Sequence, residues 1–431
     1  MIRPTANRHF SAFCRLLFAA LWITTSAPNA LAQTSYAVVH SFAGPPNDGS
    51  QPSEGLGVIQ GSDGRLYGTT LEGGFSECFF PTGCGTVFTM APDGTGYLVL
   101  HRFTVGEGAH PIAGLVQGLD GTLYGTTHDG PFGSIFQMGP DGSGFRVLHR
   151  FSGGPTDGTQ PRASLTFGAD GMLYGTTETG GLANLGTVFK IAADGSGFAL
   201  LRSFTGGPLD GGDPTASLIQ GSADGMLYGT TRGGGAASLG TVFQMSVDGS
   251  EFTLLHSFGG APMDGAFPNA SLLQDGDGTL YGTTREGGSP GCFPFANSCG
   301  TIFRLSPDGS GFTLLHSFSG QPDGGGPYAG LIQGTDGTLY GTTARSGGGN
   351  VGAVFKIGPD GSGLTILHSF TVFPVNDGYN PLAGVIQSPD GTLYGTAAYG
   401  GPAGFGVVFS LTPDTAASRF QPRLTTVAPP R

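Results

Sequence analysis

Tryptophan and lysine are almost missing from this sequence of 431 residues. The one tryptophan is Trp22, and the only lysines are Lys190 and Lys356. No tryptophan therefore remains further along the chain for the W-D dipeptide of WD40 blades or for the indole platforms of many sugar-binding sites. Basic residues number 18 against 30 acidic ones. A surface of that sign repels phosphate backbones and anionic headgroups, so we expect neither nucleic acid nor a membrane surface as a partner.

A long apolar run is missing as well. Residues 16–23 are apolar, but this run is far shorter than the roughly 20 residues of a membrane-spanning helix. It follows Arg3, Arg8 and Arg15 and precedes the small-x-small sequence Ala30-Leu31-Ala32, a pattern typical of a secretory signal peptide. We therefore expect residues 1–32 to be removed on export, leaving a secreted or periplasmic chain with 15 basic and 30 acidic residues. An uncleaved anchor is the alternative.

Glycine, by contrast, is abundant, and the 82 glycines recur with a period. The segment L-Y-G-T returns seven times at intervals of 50 to 59 residues. Its tyrosines are Tyr67, Tyr124, Tyr174, Tyr228, Tyr281, Tyr340 and Tyr394. A period of this size is the signature of a repeat architecture, and it indicates that the glycines are turn residues of a folded chain.

One repeat reads as four short antiparallel strands without any helical period. In the sixth repeat these are residues 329–333, 338–343, 352–357 and 364–370, called strands a, b, c and d. Asp336-Gly337 and Asp360-Gly361 supply the tight turns between a and b and between c and d. Strand d carries apolar residues on both faces, so each small sheet must be covered on both sides. That requirement favours a β-propeller over a sandwich, whose sheets have one polar face.

The two ends of the repeat series predict how the ring closes. A strand d occurs at residues 36–42 before any strand b, and a strand c at residues 406–409 has no strand d after it. We predict an all-β, seven-bladed propeller of four-stranded blades over residues 33–412, closed by residues 36–42 in the last blade, with residues 413–431 as a flexible tail. The repeats lie near residues 55–103, 112–151, 163–204, 216–258, 270–318, 328–370 and 382–411.

Of the five cysteines, Cys14 lies in the leader, and the other four form two pairs that are close in sequence. In each pair the second cysteine directly precedes the glycine of strand c. Equivalent placement in two repeats predicts two local disulfides in an oxidising compartment, Cys78 with Cys84 and Cys292 with Cys299. A zinc site is the alternative, but neither a C-x₂-C motif nor a nearby histidine pair supports it.

Histidine and aspartate recur at constant positions. Strand d carries His40, His101, His149, His256, His316 and His368, with Arg202 in the seventh place. We expect these histidines to pack against a neighbouring blade, because only a histidine beside a carboxylate in a cleft would suggest catalysis. The d–a connections carry Asp48, Asp157, Asp210, Asp264, Asp323 and Asp377. We expect them to shape loops and expect no cofactor, with calcium as the alternative.

The pattern D-G-x-L-Y-G-T-T, G-G, G-T-V-F, P-D-G-S-G-F, L-L-H-S-F resembles the GloVer tandem repeat of secreted bacterial choice-of-anchor proteins. The resemblance covers about residues 36–412. It implies an exported repeat protein and no assigned chemistry. Better-anchored relatives end in an apolar sorting segment, which residues 413–431 do not contain.

Two functions are open at this point. The first is a non-catalytic, monomeric extracellular module that presents loops on one propeller face to an extracellular protein or polysaccharide. Its candidate contacts are Phe79, Phe80, Phe293 and Phe295 in the two cysteine-bearing loops. The second is a lyase or hydrolase with carboxylates around the central channel. A cluster of acids and a histidine at the channel mouth would favour the enzyme, whereas small residues there would favour the module.

Overall fold

The computed structural model describes residues 34–52, 55, 57–74, 82–289, 299–345, 351–372 and 377–413. Strands, turns and loops make up this part of the chain; it contains no α-helix, and so none long and apolar enough to cross a membrane. Seven small antiparallel sheets form a seven-bladed β-propeller, which confirms the predicted fold.

Each blade runs from strand a at the channel to strand d at the rim. The strands a are Val58–Gln60, Val116–Gln117, Thr166–Phe167, Ile219–Gln220, Leu273–Gln274, Ile332–Gln333 and Ile386–Gln387. The strands b are Leu66–Gly73, Leu123–Thr127, Met172–Thr177, Leu227–Thr231, Leu280–Thr284, Leu339–Thr343 and Leu393–Ala397. The strands c are Thr86–Met90, Ser134–Met138, Thr187–Ala192, Thr241–Met245, Thr301–Leu305, Ala353–Ile357 and Val407–Thr412. The strands d are Leu98–Arg102, Arg146–Arg150, Ala199–Ser203, Phe252–Ser257, Thr313–Ser317, Thr365–Ser369 and Ser35–Ser41.

Strand a is shorter than the sequence suggested. In the sixth blade it covers Ile332–Gln333 instead of residues 329–333. Residues 329–331 precede it as part of the channel wall. Only Ile332 and Gln333 pair with strand b, and the carbonyl of Ala329 accepts instead from the hydroxyl of Thr283 in the preceding blade.

The amino-terminal strand closes the ring as predicted. Ser35–Ser41 pairs antiparallel with Val407–Thr412, and Val38 lies opposite Phe409. The last blade boundary also repeats a contact seen at the others. A Cβ on Gly406 would lie 2.5 Å from Cδ of Pro52, just as a Cβ on Gly240 would lie 2.6 Å from Cδ of Pro268. The first and last blades therefore meet as any two neighbouring blades do.

The contacts of strand b show why the L-Y-G-T-T segment recurs in the sequence. The phenol of Tyr67 donates to Asp63 of the a–b turn at 2.7 Å, and the other oxygen of that carboxylate accepts from the backbone N–H of Arg65 at 3.0 Å. The glycine is required because the strand c phenylalanine lies across it: a Cβ on Gly68 would be 2.5 Å from the ring of Phe88. Leucine and tyrosine are buried in every blade.

The first threonine of that segment reaches the next blade. In six blades its hydroxyl donates to the backbone carbonyl of an alanine in the following channel wall, as from Thr230 to Ala270 at 3.1 Å. The donors are Thr69, Thr126, Thr176, Thr230, Thr283 and Thr342. Each blade therefore positions the channel wall of its neighbour.

Candidate functional site

Every strand d places its histidine, or Arg202, beside a carboxylate of the following d–a connection. The register of each strand d shifts just before this residue, because a β-bulge inserts one unpaired residue there. The pairs are His40–Asp48 at 3.9 Å, His101–Glu107 at 3.4 Å, His149–Asp157 at 3.3 Å, Arg202–Asp210 at 2.8 Å, His256–Asp264 at 3.1 Å, His316–Asp323 at 2.9 Å and His368–Asp377 at 3.2 Å.

The same side chains stack across blade boundaries, as the sequence led us to expect. His149 stacks on Phe198 of the next blade with ring centroids 3.8 Å apart, and Arg202 lies over Phe252 at 3.4 Å. The contact also crosses the closing boundary, where His40 stacks on Tyr97 at 3.7 Å. Six of the seven boundaries carry such a stack in the described residues, and the sixth blade offers Leu364 instead of a ring.

The carboxylates of these pairs are already saturated by their own loops. Asp157 accepts from the backbone N–H groups of Ser152 at 2.9 Å and Gly158 at 2.8 Å, besides its contact with His149. Within the described ranges no group of three or more His, Cys, Asp or Glu is placed to hold a metal. The ring of pairs therefore joins blades and shapes loops. Sequence reasoning treated the two sets separately and took Glu107 as a break in the aspartate pattern, although the separation of six to nine residues in every repeat was a signal of pairing.

The d–a and b–c connections share one face of the propeller, which we call the loop face. Short two-stranded ribbons join them: Gly158–Thr159 with Thr179–Gly180, Gly211–Gly212 with Gly233–Gly234, Gly265–Ala266 with Glu286–Gly287, and Gly378–Tyr379 with Tyr399–Gly400. In the first blade Gly49–Pro52 pairs with the end of Leu66–Gly73. Single bridges, Ala109 with Asp129 and Gly325 with Arg345, replace the ribbon in the second and sixth blades.

On this face the residue before each ribbon proline differs from blade to blade. These residues are Gln51, His110, Gln160, Asp213, Phe267, Gly326 and Asn380. The six that are not glycine all have φ between 53° and 57°, a conformation unfavourable for bulky side chains. Hydrogen bonds on both sides hold it: Phe267 donates its N–H to Leu239 at 2.8 Å and accepts from Arg285 at 3.1 Å. The same backbone conformation therefore recurs at this position while the side chain varies.

The residues that follow five of these prolines lie at the mouth of the central channel. They line a cavity of about 90 Å³, and they are Ile112, Arg162, Thr215, Asn269 and Tyr328. The rest of its described wall consists mainly of alanine, serine and glycine, and Arg162 is its only charged residue. The small residues of this wall are those expected for a binding module, whereas the acids and histidines that lie beside it are those expected for an enzyme.

Titratable side chains of the second and third blades form a network next to this cavity, which we call the charge network. Nδ1 of His110 and Nδ1 of His128 both donate to Asp129, at 2.6 and 2.9 Å. Nε2 of His128 lies 3.7 Å from Glu178. The guanidinium of Arg162 lies 3.7 Å from the same carboxylate. This charge network thus extends from the second blade to the cavity wall.

In the charge network, His128 forms ion pairs with Asp129 and Glu178. Burial alone would lower the pKa of His128, but the hydrogen bond with Asp129 and the nearby Glu178 carboxylate outweigh it and raise that pKa to about 9. Hydrogen bonds from His110 and His128 hold the pKa of Asp129 well below its usual range. The ion pair with His128 also lowers the pKa of Glu178. At neutral pH His128, Asp129 and Glu178 therefore stay charged.

The residues predicted as sites lie mostly outside the described part of the chain. This holds for Phe79, Phe80, Phe293 and Phe295 and for Cys78 and Cys292. Cys84 and Cys299 are described, and both are buried at the start of strand c. The two disulfides and the phenylalanine contacts therefore remain predictions. The varied ring around the channel mouth was missed, because single-sequence reasoning looked for shared motifs and not for positions where the repeats differ.

The same repeat defines a known family. The family model described as the Gloeobacter/Verrucomicrobia repeat matches residues 28–132, 131–292 and 292–426. The chain belongs to this family. The resemblance drawn from the repeat motifs is thereby confirmed. No curated protein matches the chain at a significant level.

Solved structures similar to this chain include three from different contexts. A nidogen/laminin complex chain is 15% identical over 67% of this chain and 91% of its own, with a TM-score of 0.44. A 6-phosphogluconolactonase homologue of Bacteroides uniformis is 17% identical over 74% of this chain and 86% of its own, with a TM-score of 0.47. TolB from Acinetobacter baumannii is 11% identical over 64% of this chain and 58% of its own, with a TM-score of 0.39.

Proposed function

We propose that this member of the Gloeobacter/Verrucomicrobia repeat family is an exported, non-catalytic binding scaffold whose loop face recognises an extracellular protein or polysaccharide. One observation carries the proposal. The repeats keep the side chains that build and join the blades, and they change the side chains around the channel mouth. A rigid frame with a varied surface at one place is what recognition requires.

The distribution of exposed apolar side chains also favours the loop face as the binding surface. Eight large apolar side chains are exposed in the described residues. Six lie on d–a or b–c connections, and they are Val105, Phe132, Leu182, Leu209, Met263 and Val372. The other two, Leu98 and Leu119, lie at the opposite end of the blades. Apolar residues gathered on one face are typical of a surface that contacts a partner.

Export and the two disulfides belong to the same proposal. Removal of residues 1–32 would place the propeller in an oxidising compartment, where Cys78–Cys84 and Cys292–Cys299 would brace two long loops of the loop face. Mass mapping of the unreduced, exported protein should find these two links and no free thiol. A free thiol, or a link between Cys78 and Cys292, would contradict them.

The experiment compares the two faces with matched substitutions. Purified protein is incubated with insoluble bacterial envelope and matrix material, and the retained fraction is measured. Leu209→Ser with Met263→Ser, or alanine at Phe79, Phe80, Phe293 and Phe295, should reduce retention several-fold. Leu209 and Met263 are 84% and 83% exposed, so their replacement should not alter the melting temperature.

Leu119→Ser is the control, because Leu119 is at least as exposed but lies in an a–b turn of the opposite face. It should leave retention unchanged. Equal retention by all variants, or a loss caused by Leu119→Ser alone, would show that the loop face is not the binding surface.

A further inference from the structure

The two residues that follow the L-Y-G-T-T segment divide the loop face into an acidic and a basic half. In the first three blades one of the two is a carboxylate, and in the next three one of the two is an arginine. The fifth blade carries both, Arg285 and Glu286. One half of the loop face is therefore basic in a protein of formal net charge −12. The acids of the first half are Glu72, Asp129 and Glu178, and the arginines of the second are Arg232, Arg285 and Arg345.

Arg345 is the arginine of this half whose charge is not compensated. It is exposed, and the part of the chain that the structure describes offers it no ion pair. Its side chain donates only a long hydrogen bond, of 3.4 Å, to the hydroxyl of Tyr328. Arg285, by contrast, lies 3.9 Å from Glu286. The backbone of Arg345 is fixed, because its N–H donates to Gly325 at 3.0 Å and its carbonyl accepts from Gly325 at 2.9 Å. The loop face thus presents a positive charge at a defined place.

Tyr328 stands between two of these arginines at the channel mouth. The guanidinium carbon of Arg285 lies 4.9 Å from the centroid of its ring, and Arg345 reaches its hydroxyl. The residue before the ribbon proline is Gly326 in this blade, whereas the other six blades carry a larger residue there. A Cβ on Gly326 would already lie 3.8 Å from both the Tyr328 ring and the Arg345 side chain. The glycine therefore leaves both side chains uncovered on this side.

The seventh blade continues this surface with two more aromatic rings. Tyr379 and Tyr399 lie opposite each other in its ribbon and stack with their centroids 5.4 Å apart. Both are partly exposed. None of the other six blades has an aromatic residue at either of these two positions. Arginine and tyrosine side chains thus follow one another over three adjacent blades, the fifth to the seventh.

This succession of side chains matches one class of ligand. A guanidinium binds a carboxylate through two parallel hydrogen bonds, and a tyrosine ring offers apolar surface to the C–H face of a sugar. We propose that the fifth to seventh blades bind an acidic polysaccharide, with Arg345 paired to the carboxylate of a uronate unit and the tyrosines against its sugar rings. An acidic peptide would supply carboxylates but no repeating ring faces. This inference rests on the proposed function, since it names the ligand class for the loop face.

The test titrates the purified protein with tetramers of galacturonate and of mannuronate, and with a neutral galactose tetramer and poly-glutamate for comparison. Titration calorimetry at low and at physiological salt measures binding. At least one uronate tetramer should bind, and more weakly at the higher salt concentration, because ions screen the charges. Arg345→Gln should weaken this binding about tenfold, the size expected for a lost charge-assisted hydrogen bond. Arg345→Lys should lose less, because it keeps the charge without the planar fork. Since Arg345 is exposed, neither variant should alter the melting temperature.

Arg146→Gln is the matched control. Arg146 is also exposed, but it begins a strand d at the opposite face of the ring. Its replacement should leave uronate binding unchanged. The inference is wrong if no uronate tetramer binds below about 10 mM, if the neutral tetramer or poly-glutamate binds as tightly, or if Arg345→Gln weakens binding no more than Arg146→Gln. Should Leu209 and Met263 still govern envelope retention in that case, only the ligand class falls and the scaffold function stands.

Discussion

Buried threonine pairs join strands b and c at the end of the blade nearest the loop face. In the fourth blade the hydroxyl of Thr231 lies 2.7 Å from that of Thr241 and donates to the carbonyl of Gly233 at 2.8 Å. In the sixth blade Ala353 stands opposite Thr343, and the Thr343 hydroxyl has no partner. The same residue type at the same position thus has opposite energetic roles in two blades.

This contrast gives a prediction for stability. Thr231→Val removes two hydrogen bonds and leaves the Thr241 hydroxyl and the Gly233 carbonyl short of a partner, so it should lower the free energy of unfolding by about 1–3 kcal/mol. Thr343→Val removes a buried hydroxyl that bonds nothing and should be neutral or slightly stabilising. Urea unfolding of the two variants measures the difference. Equal losses would contradict the assigned hydrogen bonds.

The charge network around His128 makes the stability of the folded protein depend on pH. The pKa of His128 in the folded protein is about 9, above the value of about 6.5 in an unfolded chain. Its stabilising contribution is therefore fully present below about pH 6.5 and is lost as the pH rises through 9. The pKa values of Asp129 and Glu178 are lowered, so their contribution is present near neutral pH and is lost as the pH falls into the acid range.

We therefore predict an alkaline loss of stability that depends on His128. Between pH 6.5 and 9.5 the wild-type protein should lose about 2 kcal/mol through this group. His128→Gln should be less stable at pH 6.5 and should show a flatter dependence over the same range. Melting temperatures in matched buffers measure this. An identical pH slope in both proteins would show that His128 is not held in its charged form.

At the scale of elements, much of the blade was readable from sequence because its signals are local and repeated. Asp336-Gly337 marks a tight turn in any blade, and the stray strands at the two chain ends left one way to close the ring. The spacing of His149 and Asp157 hinted at their pairing, but the contact itself depends on a bulge between Val147 and His149 that no local motif marks. The cavity residues Thr215 and Asn269 were not readable either, since only the ring brings the residues after successive prolines together.

The closing strand is the element with the clearest consequence. Deleting residues 36–42 removes the partner of Val407–Thr412 and the stacks of His40 on Tyr97 and of Tyr36 on His368. The unfolding midpoint should fall sharply, because an open sheet edge and two unsealed blade boundaries remain. A synthetic peptide of residues 34–43 should restore part of the loss by adding the strand back. A midpoint unchanged by the deletion would refute this pairing.

At the scale of the whole molecule, the two faces of the ring differ in character. The seven a–b turns and the six c–d turns repeat nearly the same Asp-Gly chemistry, as befits turns that only connect strands. The loop face carries the residues with positive φ before the prolines, the cavity and the charge network. It also carries six of the eight exposed large apolar side chains of the described residues. Recognition on one face of a rigid ring is the central claim, and it can be tested without knowing the partner.

Hydrogen–deuterium exchange, measured by mass spectrometry with and without envelope material, tests that claim most directly because it reports on both faces at once. Peptides covering the d–a connections at residues 205–213 and 259–268 should exchange more slowly in the presence of the material. Peptides covering the opposite turns at residues 118–123 and 358–363 should exchange at the same rate in both conditions. Protection confined to those opposite turns, with none at the d–a connections, would contradict recognition through the loop face.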